Sequence, residues 1–158
     1  MNTAIQPDLF NVEEELPKKT TTVKCGCCGV NSTTYVRKIN CNMVLACICL
    51  YRFGNGKYCH VDELLRTNGY KRCGDFSYLR FYGILQAKQG LREDGSRRNG
   101  MYRLTSYGIM FLEGKVTVKE KFIIKNNKLL GFSGGDITAK QAAGNKFDFS
   151  ELMAKQHP

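Results

Sequence analysis

Hydrophobic residues are bunched along this chain at spacings that change from block to block, and each spacing predicts an element. Met43-Val44-Leu45-Ala46-Cys47-Ile48-Cys49-Leu50-Tyr51 is apolar on nearly every side. Such a run predicts a helix buried in the core, closed by Gly54 and Gly56. Residues 60–66 predict a second, shorter helix that Asn68-Gly69 ends. Asp75 is placed to cap a third, in which Phe76, Leu79 and either Tyr82 or Gly83 share one face while Ser77, Tyr78, Arg80 and Phe81 occupy others. Gly83 supplies a left-handed helix stop. Ile84 and Leu85 then start a buried strand, a long polar turn follows, and Tyr102-Arg103-Leu104 returns. Thr105 is positioned to cap a helix containing Tyr107 and Met110.

The flanks read differently. Residues 1–22 are polar, with Pro7, Pro17 and the acidic run Glu13-Glu14-Glu15, and predict a disordered tail. A cysteine-rich turn, Cys25-Gly26-Cys27-Cys28-Gly29, leads into a strand over residues 33–38. Further on, residues 121–125 and 128–132 flank Asn126-Asn127, the signature of a β-hairpin. Gly131-Phe132-Ser133-Gly134-Gly135 lacks the Lys-Ser/Thr of a phosphate loop and reads as a flexible turn, with Asp136 capping the next helix. Residues 138–143 and 149–153 give two short helical pieces. The expected organisation is therefore a tail (1–22), a cysteine turn and strand (23–40), a central unit (41–118), and a hairpin with short helices packed on the same domain (119–158).

Leu79-Arg80-Phe81-Tyr82-Gly83-Ile84-Leu85 and Tyr102-Arg103-Leu104-Thr105-Ser106-Tyr107-Gly108 carry a resemblance. Their order resembles the helix-wing-helix stretch of winged helix-turn-helix repressors of the antibiotic-resistance-regulator type. Those use a Leu-x-x-x-Gly-Leu-Ile step and a Tyr-x-Leu-Thr-x-x-Gly step. The resemblance covers about a fifth of the chain and implies an α+β winged helix-turn-helix fold, here with an N-terminal cysteine turn and an extra C-terminal β-hairpin; it speaks to fold more than to function. The layout as a whole resembles small phage-encoded proteins, as an impression of order that carries no functional residues.

Charge and size narrow the picture. The 158 residues are 42% hydrophobic, enough for one compact core with tails. A formal net charge of +10 favours a polyanionic partner. No apolar run approaches the roughly 18 residues of a membrane span, and the N-terminus lacks a secretory layout, so a cytoplasmic protein is expected. In that compartment the eight cysteines argue for thiols or metal ligands.

The candidate nucleic-acid surface lies on the third helix and the hairpin. Lys71 and Arg72 precede that helix, Ser77, Tyr78 and Arg80 lie on it as candidates for base edges, and Lys88, Arg92, Arg97, Arg98 and Arg103 decorate the hairpin. The alternative is a solvated loop, its charge diluted by Glu93 and Asp94. Gln6-Pro7-Asp8-Leu9-Phe10 resembles the pentapeptide by which bacterial replication and repair proteins bind the DNA sliding clamp. That resemblance implies Gln6, Asp8, Leu9 and Phe10 as contacts, with Leu9 and Phe10 filling an apolar pocket; packing on the chain's own domain is the alternative. Cys25-x-x-Cys28-Gly29 has the spacing of a zinc knuckle, half of a four-ligand structural site. Cys27 competes in the same turn, and Cys41, Cys59, His60 and Cys73 are isolated further partners. Cys47 and Cys49 read as small core residues, and His60 equally as a helix-start residue. With two histidines, one of them His157, no catalytic triad or metal-hydrolase pattern emerges, and no small-molecule substrate is evident. Residues 144–153 contain Phe147, Phe149, Leu152 and Met153, which either cover an edge of the core or dock a partner.

The expectation is a non-enzymatic winged-helix protein that binds double-stranded DNA, acting in replication or transcription. The alternative is a protein-interaction module on the same platform, an inhibitor or adaptor. A third reading has Tyr78, Phe81 and Tyr102 stacking on unpaired bases.

Overall fold

The buried helix of the central block forms as its composition requires. In the computed structural model, which describes residues 16–89 and 100–154, α1 (Cys41–Phe53) starts at Asn40, whose side chain accepts the Met43 backbone N–H at 3.0 Å. Met43, Val44, Ala46, Cys47, Ile48, Cys49 and Leu50 are all buried. The burial is nearly all-round because α1 is packed on several sides. Its neighbours are α2 (Val61–Thr67), a 3-10 helix (Gly74–Tyr82), β5 (Met101–Leu104), α3 (Ser106–Leu112), α4 (Ala139–Ala143) and α5 (Phe149–Ala154). Cys47 and Cys49 are therefore core residues, as their setting in the sequence predicts.

Two antiparallel sheets complete a mixed α+β architecture. The smaller has β3 (Cys59–His60) and β4 (Leu85–Ala87) on either side of β5. The larger runs β1 (Thr21–Lys24), β2 (Asn31–Lys38), β6 (Val118–Lys125) and β7 (Lys128–Ile137) in that order. Asn126 and Asn127 turn the β6–β7 hairpin with φ of 52° and 61°, the left-handed pair that a two-residue hairpin turn needs. Phe122 and Ile124 of β6 join the common core, whereas Ile123 is turned to the other face of the sheet. There Leu16 lies against Gly131, the cross-strand partner of Ile123, so the chain just before β1 covers that face.

The junction between the 3-10 helix and α3 is tightly built. Gly83 ends the 3-10 helix in the left-handed conformation, φ 77°. The Thr105 hydroxyl donates to the carbonyl oxygens of Gly83 and Ile84, the latter at 3.0 Å, and accepts the Gly108 N–H at 3.0 Å. The Thr105 backbone N–H also donates to Ile84 O at 3.0 Å. Gly108 has no room for a side chain, because a Cβ there would meet the Ile84 carbonyl oxygen and lie 2.7 Å from Leu104 Cδ1.

Four expectations are corrected. Asp75 does not cap the third helix; Cys73 occupies the cap position without a side-chain bond and Asp75 sits in the first turn. Residues 131–135 are not a loose turn but part of β7, held by pairing to β6. The helix that follows is capped by Thr138, whose hydroxyl accepts Gln141 N–H at 3.1 Å while Gln141 Oε1 accepts Thr138 N–H at 2.9 Å. Asp136 instead pairs with Lys119 at 3.1 Å. Thr21 and Thr22, assigned to the tail, belong to β1: Thr22 Oγ1 lies 3.0 Å from Thr33 Oγ1, and Thr20 Oγ1 accepts Val36 N–H at 3.1 Å.

Two stability predictions follow from this packing. Thr105→Val keeps the shape but removes the hydroxyl that caps α3, and is expected to lower unfolding free energy by about 1–2 kcal/mol in urea denaturation. Tyr82 packs against Phe122 and Phe132, with ring centroids 5.9 and 4.6 Å away, and its hydroxyl is buried without a partner among the described residues. Tyr82→Phe is expected to leave stability unchanged or raise it by about 1 kcal/mol; a loss beyond that would mean the hydroxyl has a partner in solution.

Candidate nucleic-acid interface

A 3-10 helix has three residues per turn, so side chains three apart stack in straight rows. Along Gly74–Tyr82 the rows are distinct. Phe76 and Leu79 are buried, with half-buried Tyr82 below them; Tyr78 and Phe81 form a second, half-buried row; exposed Gly74 and Arg80, with half-buried Ser77 between them, form the outermost one. Tyr78 therefore does not project as an α-helical spacing suggests. Its ring stacks on Phe81 at 6.2 Å and leans on Phe122 of the large sheet at 5.3 Å. Arg80 is exposed, lies over the Phe81 ring at 4.5 Å and donates to Ser77 O at 3.0 Å. The ridge offered to a partner is Ser77 and Arg80, with Lys71 and Arg72 leading into it. Arg72 Nε lies 3.3 Å from Asp62 Oδ2, yet its side chain stays 80% exposed.

The hairpin after Gly83 packs on this helix through β4. On the outward face of the small sheet Gln86 and Arg103 are direct cross-strand partners, and Arg103 Nε donates to Gln86 Oε1 at 2.7 Å. The same guanidinium lies over the Tyr58 ring, 5.2 Å from its centroid. Lys88 continues β4 and is exposed. These contacts hold Arg103 flat against its sheet. Arg92, Arg97 and Arg98 lie outside the described residues, as do Gln6, Asp8, Leu9 and Phe10.

A cleft of about 420 Å³ opens between the large sheet and the 3-10 helix. Tyr35 and Arg37 of β2, Tyr78, and the Asn126-Asn127 turn line it. Arg37 lies over the Tyr35 ring at 5.0 Å, and Tyr35 is itself exposed. Sequence reading passed over Tyr35, Arg37 and Tyr58. The period-two pattern Thr33-Thr34-Tyr35-Val36-Arg37 would have placed Tyr35 and Arg37 on one face of a strand, but no local signal says which face meets the helix.

The cysteines divide into two sets. Cys25, Cys27 and Cys28 are exposed in the turn joining β1 to β2. The backbone amides of Cys28 and Cys27 donate to the Cys25 sulfur and hold its thiol below the ordinary range. Burial pushes the Cys49 thiol up to about 11, and drives that of Cys47 upward as well. Cys59 donates to Lys57 O at 3.5 Å, and His60 Nδ1 accepts Glu63 N–H at 3.3 Å as the N-cap of α2. His60 thus has the helix-start role. Among the described residues no group of three or more His, Cys, Asp or Glu side chains gathers in a way that would hold a metal ion, and no helix is long and apolar enough to cross a membrane. In comparisons with known protein families, curated proteins and solved structures, nothing matches the chain.

Proposed function

We propose that this is a winged-helix protein that binds double-stranded DNA, with the 3-10 helix in the place of the recognition helix and the β4–β5 hairpin as its wing. The observation that carries the reading is the row of half-buried Ser77 and exposed Arg80 beside a hairpin that carries exposed Lys88 and half-buried Arg103. Three helical segments followed by a β-hairpin is the order a winged helix requires, and the net charge of +10 suits a polyanion. In this reading Ser77 and Arg80 meet base edges in the major groove. Lys71, Arg72, Lys88 and Arg103, with Arg92, Arg97 and Arg98 from the sequence between β4 and β5, meet phosphates. A tail bound to the sliding clamp through Gln6, Asp8, Leu9 and Phe10 would raise the effective concentration of a weak DNA module at replicating DNA.

A second reading draws on the cleft of Tyr35, Arg37 and Tyr78. An exposed tyrosine ring beside a guanidinium, with half-buried Tyr78 next to it, suits unpaired bases, which stack on such rings with little regard to sequence. The two readings separate in one assay.

Fluorescence anisotropy against labelled duplex and single-stranded DNA over a salt series is expected to show duplex binding that weakens steeply with salt. Arg97→Ala/Arg98→Ala should lower affinity evenly across sequences, and Arg80→Ala should change sequence preference. A preference for single strands that Tyr35→Ala abolishes would support the cleft instead. Salt-insensitive behaviour with neither substrate bound would leave the protein-interaction module as the better reading. For the tail, Leu9→Ala/Phe10→Ala is expected to abolish binding to a bacterial sliding clamp while DNA affinity stays unchanged; retained clamp binding overturns that assignment.

A further inference from the structure

We propose that the β1–β2 turn is half of a zinc site, in which Cys25 and Cys28 supply two thiolates and the same pair from a second copy of the chain supplies the other two.

The turn is already folded for this. Cys25 N–H donates to Val30 O at 2.9 Å and Gly29 N–H to Cys25 O at 3.0 Å, and Gly29 takes the left-handed conformation at φ 73°. This closes the chain so that Cys25, Cys27 and Cys28 sit together on one tight, exposed turn. The Cys-x-x-Cys spacing sets two sulfurs on one ion, and Gly29 relaxes the turn behind them.

Structural zinc takes four ligands. The Cys25–Cys28 pair supplies two from each chain, and among the described residues no group of three or more His, Cys, Asp or Glu side chains gathers in a way that would hold a metal ion. The position of the turn says where the rest come from. Every residue from Thr21 to Asn31 is exposed, so the hairpin leaves the body of the protein and presents its sulfurs at a tip that a second tip can meet. Val23 and Val30 flank the turn at 66% and 63% exposed, apolar surface that a facing hairpin would cover. A zinc ion with four thiolates carries two net negative charges. The Lys24 side chain bends over Gly29, its Cε 3.8 Å from where a Cβ would stand, and two copies bring two such ammonium groups to the site. The arrangement is a two-fold, self-complementary contact. It stands independently of the DNA-binding reading.

The test uses the full-length chain, reduced and stripped of metal. Zinc is titrated while bound metal is measured and the mass is followed by analytical ultracentrifugation. Half a zinc per chain with a doubling of mass, reversed by a chelator, is the expected result. Cadmium in place of zinc should give a thiolate charge-transfer band with the intensity of four sulfurs per ion. Cys25→Ser/Cys28→Ser should lose both the metal and the dimer while its unfolding midpoint stays that of the metal-free parent, and Cys27→Ser should keep both. One zinc per chain on a monomer would overturn the proposal, as would a dimer that survives in the double serine variant or one that a reductant dissolves without a chelator.

Discussion

The helical unit depends on one hydroxyl. Thr105 ties together the end of the 3-10 helix, the start of β4 and the first turn of α3, because its oxygen meets the carbonyls of Gly83 and Ile84 and the amide of Gly108. Those backbone groups sit at element ends, where regular helix or strand pairing runs out; the Ile84 carbonyl also accepts the Thr105 N–H. Gly108 lets α3 approach the Ile84 carbonyl, and Ile84 is fully buried. With the two glycines and the threonine in place, the hairpin has one direction in which to leave the 3-10 helix. The outward row of Ser77 and Arg80 then has a fixed relation to Lys88 and Arg103.

Two layers meet over α1 and give the molecule two different basic faces. The small sheet presents a polar outer face, where Arg103 is held by Gln86 and Tyr58. The large sheet turns Phe122 and Ile124 inward and, beyond them, leaves Tyr35 and Arg37 beside Tyr78. The 3-10 geometry separates the two faces. Its three-residue repeat commits Tyr78 and Phe81 to one row and leaves Arg80 on another; an α-helical turn would blend them.

Local chemistry made much of the central unit legible. Apolar runs, Gly83, Thr105, His60 and the Asn126-Asn127 turn each impose a local geometry, and each appears in the structure where its chemistry places it. What escaped depends on distant partners. Thr21–Lys24 has no apolar alternation and becomes a strand only because β2 pairs with it. Residues 131–135 look like a loop until β6 holds them extended. The candidate site was legible as a set of charges but not as a surface, since the direction of Tyr78 follows from Phe122, more than forty positions away. The tip cysteines were visible as a pair, and their exposure followed only once β1 and β2 were seen to carry them outward.

The pairing of β2 with β6 also bears on how the chain reaches this state. Tyr35 lies opposite Ile124, so about ninety residues must be closed into a loop before that ladder forms, a costly step entropically and a slow one kinetically. The segment from α1 to α3 is made of near neighbours and can assemble during synthesis while β2 waits. Until β6 arrives, β2 has only β1 beside it and exposes a hydrogen-bonding edge. Lys38 and Arg37 at its end, and the lysines at both ends of β6, place like charges where a second unfinished chain would have to add its strand. The basic character of the large sheet thus guards the slow step against aggregation.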